Sequence, residues 1–377
     1  MRRLFLLVAA VILVDTMFFA AIAPLLPQYS DDLGLSKGEA GVLSAAYAAG
    51  TLLAALPSGW LAARVGVRPT VLTGLALMSC SSIAFAFADS VAVLDAARFA
   101  QGVGGACAWA GGLTWLLVSV PRNRRGQLIG AALAAAVAGI LLGPVLGGVA
   151  TVIGPEPVFV GVAVIAACLG AWVISTPGAH RSRVPGLREV ARTAFTPGVM
   201  IAFWLVVLPS TLSGAIDVLV PLRLDDLGVT GIGIGAVFLV AAAIEATISP
   251  RIGRISDRRG RWSPIRAGLA ASTVMAFVLA PLDSVGVIAV AVAGTFLAMS
   301  LIWTPAMALL SDEAESGGLN LAFAAALVNL AWAGGHVVGG SALPHFAEAT
   351  SDAAAYVAVA SVFALTTVAL LGRRRTA

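Results

Sequence analysis

The sequence is poor in charge. Lysine, arginine, aspartate and glutamate make up 11% of its 377 residues, against 59% hydrophobic residues. With a mean hydropathy of +0.98, too little polar surface remains to coat a soluble domain of this size. Cysteine is scarce as well. Cys80, Cys107 and Cys168 stand inside apolar runs at no redox or metal-ligand spacing, which argues against a disulfide framework or a metal site. Histidine numbers three. No serine, histidine and acid constellation and no metal-ligand pair occurs at usable spacing, so neither an enzyme nor a cofactor is expected.

What is present is long apolar sequence. A spanning helix needs about 20 apolar residues, so the chain accommodates about twelve spans and almost no soluble domain. The pattern predicts spans near 4–26, 40–62, 69–88, 91–118, 127–150 and 157–176, then 197–221, 232–252, 265–282, 285–309, 319–343 and 353–371. Arg2-Arg3, an apolar run and Ala21-Ile22-Ala23 imitate a secretory signal. The apolar character continues past that point to Leu26, and an internal repeat needs this helix retained.

The repeat is ungapped across forty positions. Pro27-x-x-x-Asp31-Asp32-Leu33-Gly34 returns as Pro221-x-x-x-Asp225-Asp226-Leu227-Gly228, 194 positions later. At the same offset Gly41, Gly59, Arg64 and Gly66 meet Gly235, Gly253, Arg258 and Gly260. Two homologous halves follow. With the offset at 192, Gly143-Pro144-Val145-Leu146-Gly147-Gly148 lies over Gly335-His336-Val337-Val338-Gly339-Gly340, which makes the eleventh helix the counterpart of the fifth.

Arginine sets the expected orientation. Arg2 and Arg3, Arg64 and Arg68, Arg122 to Arg125, Arg181 to Arg192, Arg251 to Arg266 and Arg373 to Arg375 fall on one side, while Lys37 and Arg223 fall in opposite loops. The positive-inside rule puts both termini and the 177–196 connector in the cytoplasm. The isoelectric point near 9.4 therefore reports topology and not nucleic-acid binding, and the connector is expected to touch anionic lipid headgroups.

Three motifs stand out. Gly139, Gly143 and Gly147 recur every fourth position within a charge-free run from Gly126 to Ile153, leaving a groove without Cβ atoms beside the helix breaker Pro144. Glycines so spaced also occur in helix-dimer faces. Together with Gly148 they resemble the antiporter signature in the fifth helix of major facilitator superfamily exporters. Leu94-Asp95-x-x-Arg98-x-x-Gln101-Gly102-x-Gly104-Gly105-Ala106 resembles the superfamily's second signature, whose arginine takes part in proton coupling. An arginine this deep in hydrocarbon must snorkel or find a partner, and Asp95 shares its face. Gly253-Arg254-Ile255-Ser256-Asp257-Arg258-Arg259-Gly260-Arg261 resembles the cytoplasmic loop motif. The first-half copy, Gly59-x-x-x-Ala63-Arg64-x-Gly66-Val67-Arg68, has Ala63 where the acid belongs.

The resemblance implies an all-α membrane protein with twelve transmembrane helices in two pseudo-symmetric six-helix halves, the major facilitator fold. The halves are expected over 1–176 and 197–377, joined by the connector 177–196. Asp15, Asp217, Glu245 and His336 are the other ionisable groups within spans, and they avoid the four helices that face lipid in that fold. An ionised aspartate at a helix centre costs about 2.5–3.5 kcal/mol. Asp15 is accordingly the first candidate proton carrier, followed by Glu245, with Arg98, Asp217 and Asp95 beside them. Trp115, Trp204, Trp303, Asn329, Trp332 and His336 are candidate cavity walls. The implied function is proton antiport that exports a small amphipathic molecule across the cell membrane, by a monomer whose partners are protons, substrate and lipid. An importer or facilitator on the same fold is the alternative, which binding-site residues decide.

Overall fold

Backbone amides and carbonyls have no water to turn to inside a bilayer, so each span must bond its own backbone as a helix. The structure, a computed structural model, describes residues 2–119, 125–178, 192–280, 283–319 and 321–372. The side chains of Arg122 to Arg125, Arg181, Arg183, Arg188, Asp257 and Arg373 to Arg375 lie outside the described residues.

Among the described residues, twelve long helices follow one another along the chain. The first half holds α1 (Arg2–Leu33), α2 (Lys37–Arg64), α3 (Val67–Ala86), α4 (Val91–Val118), α5 (Arg125–Ile153) and α6 (Pro155–Ser175). The second holds α7 (Pro197–Asp226), α8 (Gly231–Arg259), α9 (Trp262–Leu279), α10 (Val285–Ser316), α11 (321–349) and α12 (Asp352–Gly372). Eleven are long and apolar enough to cross a membrane. The remaining one is α4, where Asp95, Arg98, Gln101 and five glycines dilute the apolar content. Twelve crossings return the chain to its starting side, here the terminal face; the opposite side is the loop face. Five helices outrun their expected ends by five to seven residues, α1 to Leu33, α7 to Asp226, α8 to Arg259, α10 to Ser316 and α11 to Ala349.

Two helices are irregular. In α1 the regular helix stops at Ala20 and restarts at Ile22. Pro24 has no N–H to give the Ala20 carbonyl, and the Ala21 N–H instead bonds the Phe18 carbonyl at 3.3 Å. In α11 a π turn, Val338–Ala342, separates Leu321–Val337 from Leu343–Ala349.

Each half has its own apolar core. Leu7, Ile12, Phe18, Phe85, Trp115 and Phe159 pack in the first, and Leu205, Leu212, Ile216, Leu269, Ile302 and Phe363 in the second. Apolar side chains gain little by leaving lipid, so close packing of small residues decides which helices touch. A Cβ on Gly139 would strike Thr16 Oγ1 and the Leu13 carbonyl, one on Gly143 the Ala20 methyl and the Met17 carbonyl, and one on Gly147 the Ala21 carbonyl. The glycine groove of α5 is therefore filled by α1.

The same seam joins α7 and α11, and it corrects the repeat register. A Cβ on Gly335 would meet the Val207 carbonyl and Ser210, and one on Gly339 the Thr211 carbonyl. Val207, Ser210 and Thr211 lie 194 positions beyond Leu13, Thr16 and Met17. Gly139 thus corresponds to Gly335 and Gly143 to Gly339, at an offset of 196. The sequence overlay at 192 is displaced by one helical turn. Backbone approach, which glycine spacing alone cannot register, decides the alignment.

The halves meet along α2 with α11 and α5 with α8. A Cβ on Gly41 would lie 2.5 Å from the Gly340 carbonyl oxygen, and one on Gly235 2.6 Å from that of Pro144, a pair of contacts related by the pseudo-symmetry. Gly148 faces Ile232. Towards the loop face the α2–α11 seam adds charge. The α2 N-terminus is closed by a Ser36–Glu39 capping box. Beside it Lys37 reaches Asp352 at 2.6 Å and the Gly38 N–H donates to Glu348 at 2.8 Å. All these contacts lie between the midplane and the loop face.

Leucine at Gly143 or Gly147 must push α1 and α5 apart, and overpacking of this kind typically costs ~1–3 kcal/mol. Both variants are expected to reach the membrane, to unfold at lower temperature in detergent and to lose transport. Gly161→Leu, at a glycine with nothing within 4 Å, should leave melting unchanged; equal melting of all three would refute the seam.

Candidate functional site

Two α1 carbonyls just before the break serve an arginine that needs acceptors. Arg98 is 1% exposed, and a buried charge is costly unless hydrogen-bonded. Its Nη1 donates to Gln101 Oε1 at 2.8 Å and to the Phe18 carbonyl at 3.4 Å, and its Nη2 to the Phe19 carbonyl at 3.2 Å. The guanidinium also lies 5.5 Å from the Tyr47 ring centre and 5.9 Å from that of Phe19. Asp95, the partner expected from spacing, does not fill that role. One of its oxygens is buried without a hydrogen-bond partner among the described residues, while Arg98 turns toward the α1 carbonyls.

Asp15 is 0% exposed. Tyr47 Oη donates to its Oδ2 at 2.9 Å and Trp109 Nε1 to the same oxygen at 3.1 Å, while Oδ1 has no partner among the described residues. Gly105 makes the room: a Cβ there would stand 2.8 Å from Asp15 Oδ1 and 2.5 Å from Tyr47 Oη. Tyr47 therefore sits between the carboxylate and the guanidinium, bonded to one and under the other.

The second half presents a looser pair. His336, 1% exposed, holds Nε2 3.7 Å from Asp217 Oδ2, and both its ring nitrogens lack hydrogen-bond partners among the described residues. Its ring stacks on Trp332 at 5.3 Å. Phe19 joins the halves here, with ring centres 4.8 Å from Tyr47, 5.4 Å from Trp332 and 5.5 Å from His336. Glu245, at the middle of α8, is half-buried. It follows Ile234, Phe238 and Ala241 at helical spacing, on the side packed into the core and away from exposed Ile232 and Val240.

The sequence model of the Major Facilitator Superfamily matches residues 8–340. The chain belongs to the Major Facilitator Superfamily. It is 25% identical to Multidrug resistance protein 1 of Bacillus subtilis over 317 residues, 80% of this chain and 81% of that protein. It is 36% identical to the probable vesicular acetylcholine transporter-B of Danio rerio over 158 residues, 39% of this chain and 32% of the relative. The chain thus spans about a third of that relative's length. The fold recurs in a D-xylose-proton symporter, with a TM-score of 0.78, 16% identity, and 97% and 96% of the two chains covered. A POT family transporter gives a TM-score of 0.80 at 13% identity, with 99% and 96% covered.

Within this Major Facilitator Superfamily fold the expected site residues separate. Asp15 and Arg98 come together, as do Asp217, Trp332 and His336. Trp115 is enclosed in the first apolar core. Trp204 is 43% exposed at the α7–α12 edge, its indole N–H donating to Thr366, which suits an interfacial tryptophan. Trp303 and Asn329 are half-buried on α10 and α11. At the loop motifs, Ala63 is buried, Arg64 stacks over Trp60 at 4.3 Å, Arg68 bonds the Ile174 carbonyl, and Arg261 pairs with Asp312 on α10. Arg258 is exposed.

Sequence reading missed Phe19, Tyr47 and Trp109 as site residues. Trp109 carried a signal: Arg98, Gln101, Gly105 and Trp109 follow at spacings of three, four and four, one face of α4. Tyr47 and Phe19 carried none, since their contacts cross between helices. Leaving a buried acceptor short of a donor costs about 1–3 kcal/mol. Tyr47→Phe and Trp109→Phe are each expected to lower stability by about that amount in detergent unfolding; two unchanged unfolding curves would mean that Asp15 does not depend on these donors.

Proposed function

We propose that this transporter exports a small amphipathic molecule across the plasma membrane by proton antiport. Both termini and the 177–196 connector are cytoplasmic in this reading, and the halves, 1–176 and 197–377, rock about a midplane site. One observation carries it: the carboxylate of Asp15 is enclosed at the middle of a spanning helix with two neutral donors and a free second oxygen. Ionisable groups are rare in membrane interiors and mark ion or proton pathways. A group of this kind enters an enclosed state and leaves it by exchanging a proton, while Arg98, held on the α1 carbonyls, keeps a positive charge close by. In this reading the loop-face contacts of Lys37 and Glu348 lie on the periplasmic side.

Export is supported by the glycine signature of α5 and by relatives whose names describe drug resistance, including Quinolone resistance protein NorA of Staphylococcus aureus, 32% identical over 128 residues and matched over 33% of its length. The amphipathic substrate follows from the walls. Phe19, Trp332 and His336 offer ring faces at the meeting of the halves, and Asp217 and Glu245 offer acid oxygens beside apolar surface. Rocking alternately exposes such a site while the glycine seams hold each half rigid.

The test uses inside-out vesicles acidified in the lumen and a pH-sensitive dye, with a panel of amphipathic compounds. An accepted compound should release protons from the lumen as it enters. Asp15→Asn should abolish that release yet retain exchange of the labelled compound across the membrane. Should Asp15→Asn keep proton release while Glu245→Gln loses it, the carrier is Glu245.

A further inference from the structure

Phe19 belongs to both halves of the site. Its backbone carbonyl accepts a hydrogen bond from Arg98 Nη2 at 3.2 Å, and its ring contacts Trp332 and His336 of the other half. Its ring also packs on Tyr47, which donates to Asp15. The residue stands two positions before the interruption of α1 at Ala21. A shift of the guanidinium or of Tyr47 therefore moves a ring wedged against the second half.

We propose that Phe19 is the positioning residue that couples the Asp15–Arg98 site to the opening of the seam between the halves. The α1 break gives the ring a hinge, because the Ala20 carbonyl loses its helical donor at Pro24. The Arg98 bond ties the hinge to the buried charge, and the stacked pair Trp332–His336, with Asp217 behind it, receives the motion. The contacts form one unbroken chain from Asp15 through Tyr47 and Phe19 to α11. Adjacency is no proof of coupling; a double-mutant cycle measures it.

This inference rests on the alternating-access reading above, but its test needs no substrate and no proton gradient. Leu52, on α2, faces Gly334 of α11 across the seam: a Cβ at Gly334 would lie 3.8 Å from it. In a background carrying Cys80→Ser, Cys107→Ala and Cys168→Ser, Leu52→Cys provides a thiol whose maleimide labelling rate in nanodiscs reports seam opening. Asp15→Asn removes the charge that favours a hydrated, open arrangement and should slow labelling about fivefold or more, the lower end of typical site-to-site coupling. With Phe19→Ala in place, the same Asp15→Asn change should alter the rate less than twofold. Phe19→Leu, which keeps apolar volume without the ring, should behave likewise if the alanine variant fails to fold, and Phe19→Tyr should restore the full response.

Three results would overturn the proposal: an equal response to Asp15→Asn with and without the Phe19 ring, no response with Phe19 intact, or failure of Phe19→Tyr to restore it. Loss of proton release in the vesicle assay, with the cycle intact, would instead strike the antiport reading and leave the coupling standing.

Discussion

Arg98 carries a full charge where water has been excluded, and much of the architecture around it answers that one demand. In hydrocarbon the guanidinium needs acceptors that are already in place, and a carbonyl oxygen, with two lone pairs, can serve as one even within a helix. Two carbonyls just before the interruption at Ala21 do so. Pro24 prevents the helix from continuing in register, the carbonyls of Phe18 and Phe19 meet Arg98, and Gln101 takes another of its donors. The aromatic rings of Tyr47 and Phe19 shield the cation and hold its neighbours at fixed distances.

The glycine seams make this arrangement possible. α1 can present its carbonyls to α4 because α5 backs it at backbone distance, and backbone distance requires the missing Cβ atoms of Gly139, Gly143 and Gly147. The second half repeats the seam between α7 and α11 with Gly335 and Gly339. Yet the halves have diverged in what they place beside it. The first encloses a carboxylate with neutral donors, whereas the second sets a histidine against an aspartate and leaves one side open. Pseudo-symmetry fixes the scaffold, and asymmetry of side chains gives the two halves different work.

Charge placement at the loop face follows the same division. Lys37, the single lysine of the chain, ties α2 to Asp352 at the start of α12, and Glu348 of α11 accepts from the α2 N-terminus. The corresponding α5–α8 seam meets through Gly231 and Thr151 and through Gly148 and Ile232. The Lys37–Asp352 pair is only part-buried, and ion pairs that water still reaches contribute about 0–1 kcal/mol each.

The sequence by itself determined the membrane location, the twelve helices, the two homologous halves and the family, because hydropathy and repeats are properties of the chain read along its length. It also singled out Asp15, Arg98 and the glycines of α5, since a charge inside an apolar run or a four-residue glycine period shows without any partner. Only the tertiary structure decided who meets whom. It turned Arg98 from Asp95 to the α1 carbonyls, moved the α5–α11 correspondence by one turn, sent Trp115 into a core and Trp204 to the lipid edge, and brought Phe19, Tyr47 and Trp109 into the site. The physical reason is that a spanning helix is apolar all round. With lipid and protein interior alike in polarity, the pattern along a helix does not mark its inner face, and backbone approach between helices makes that choice.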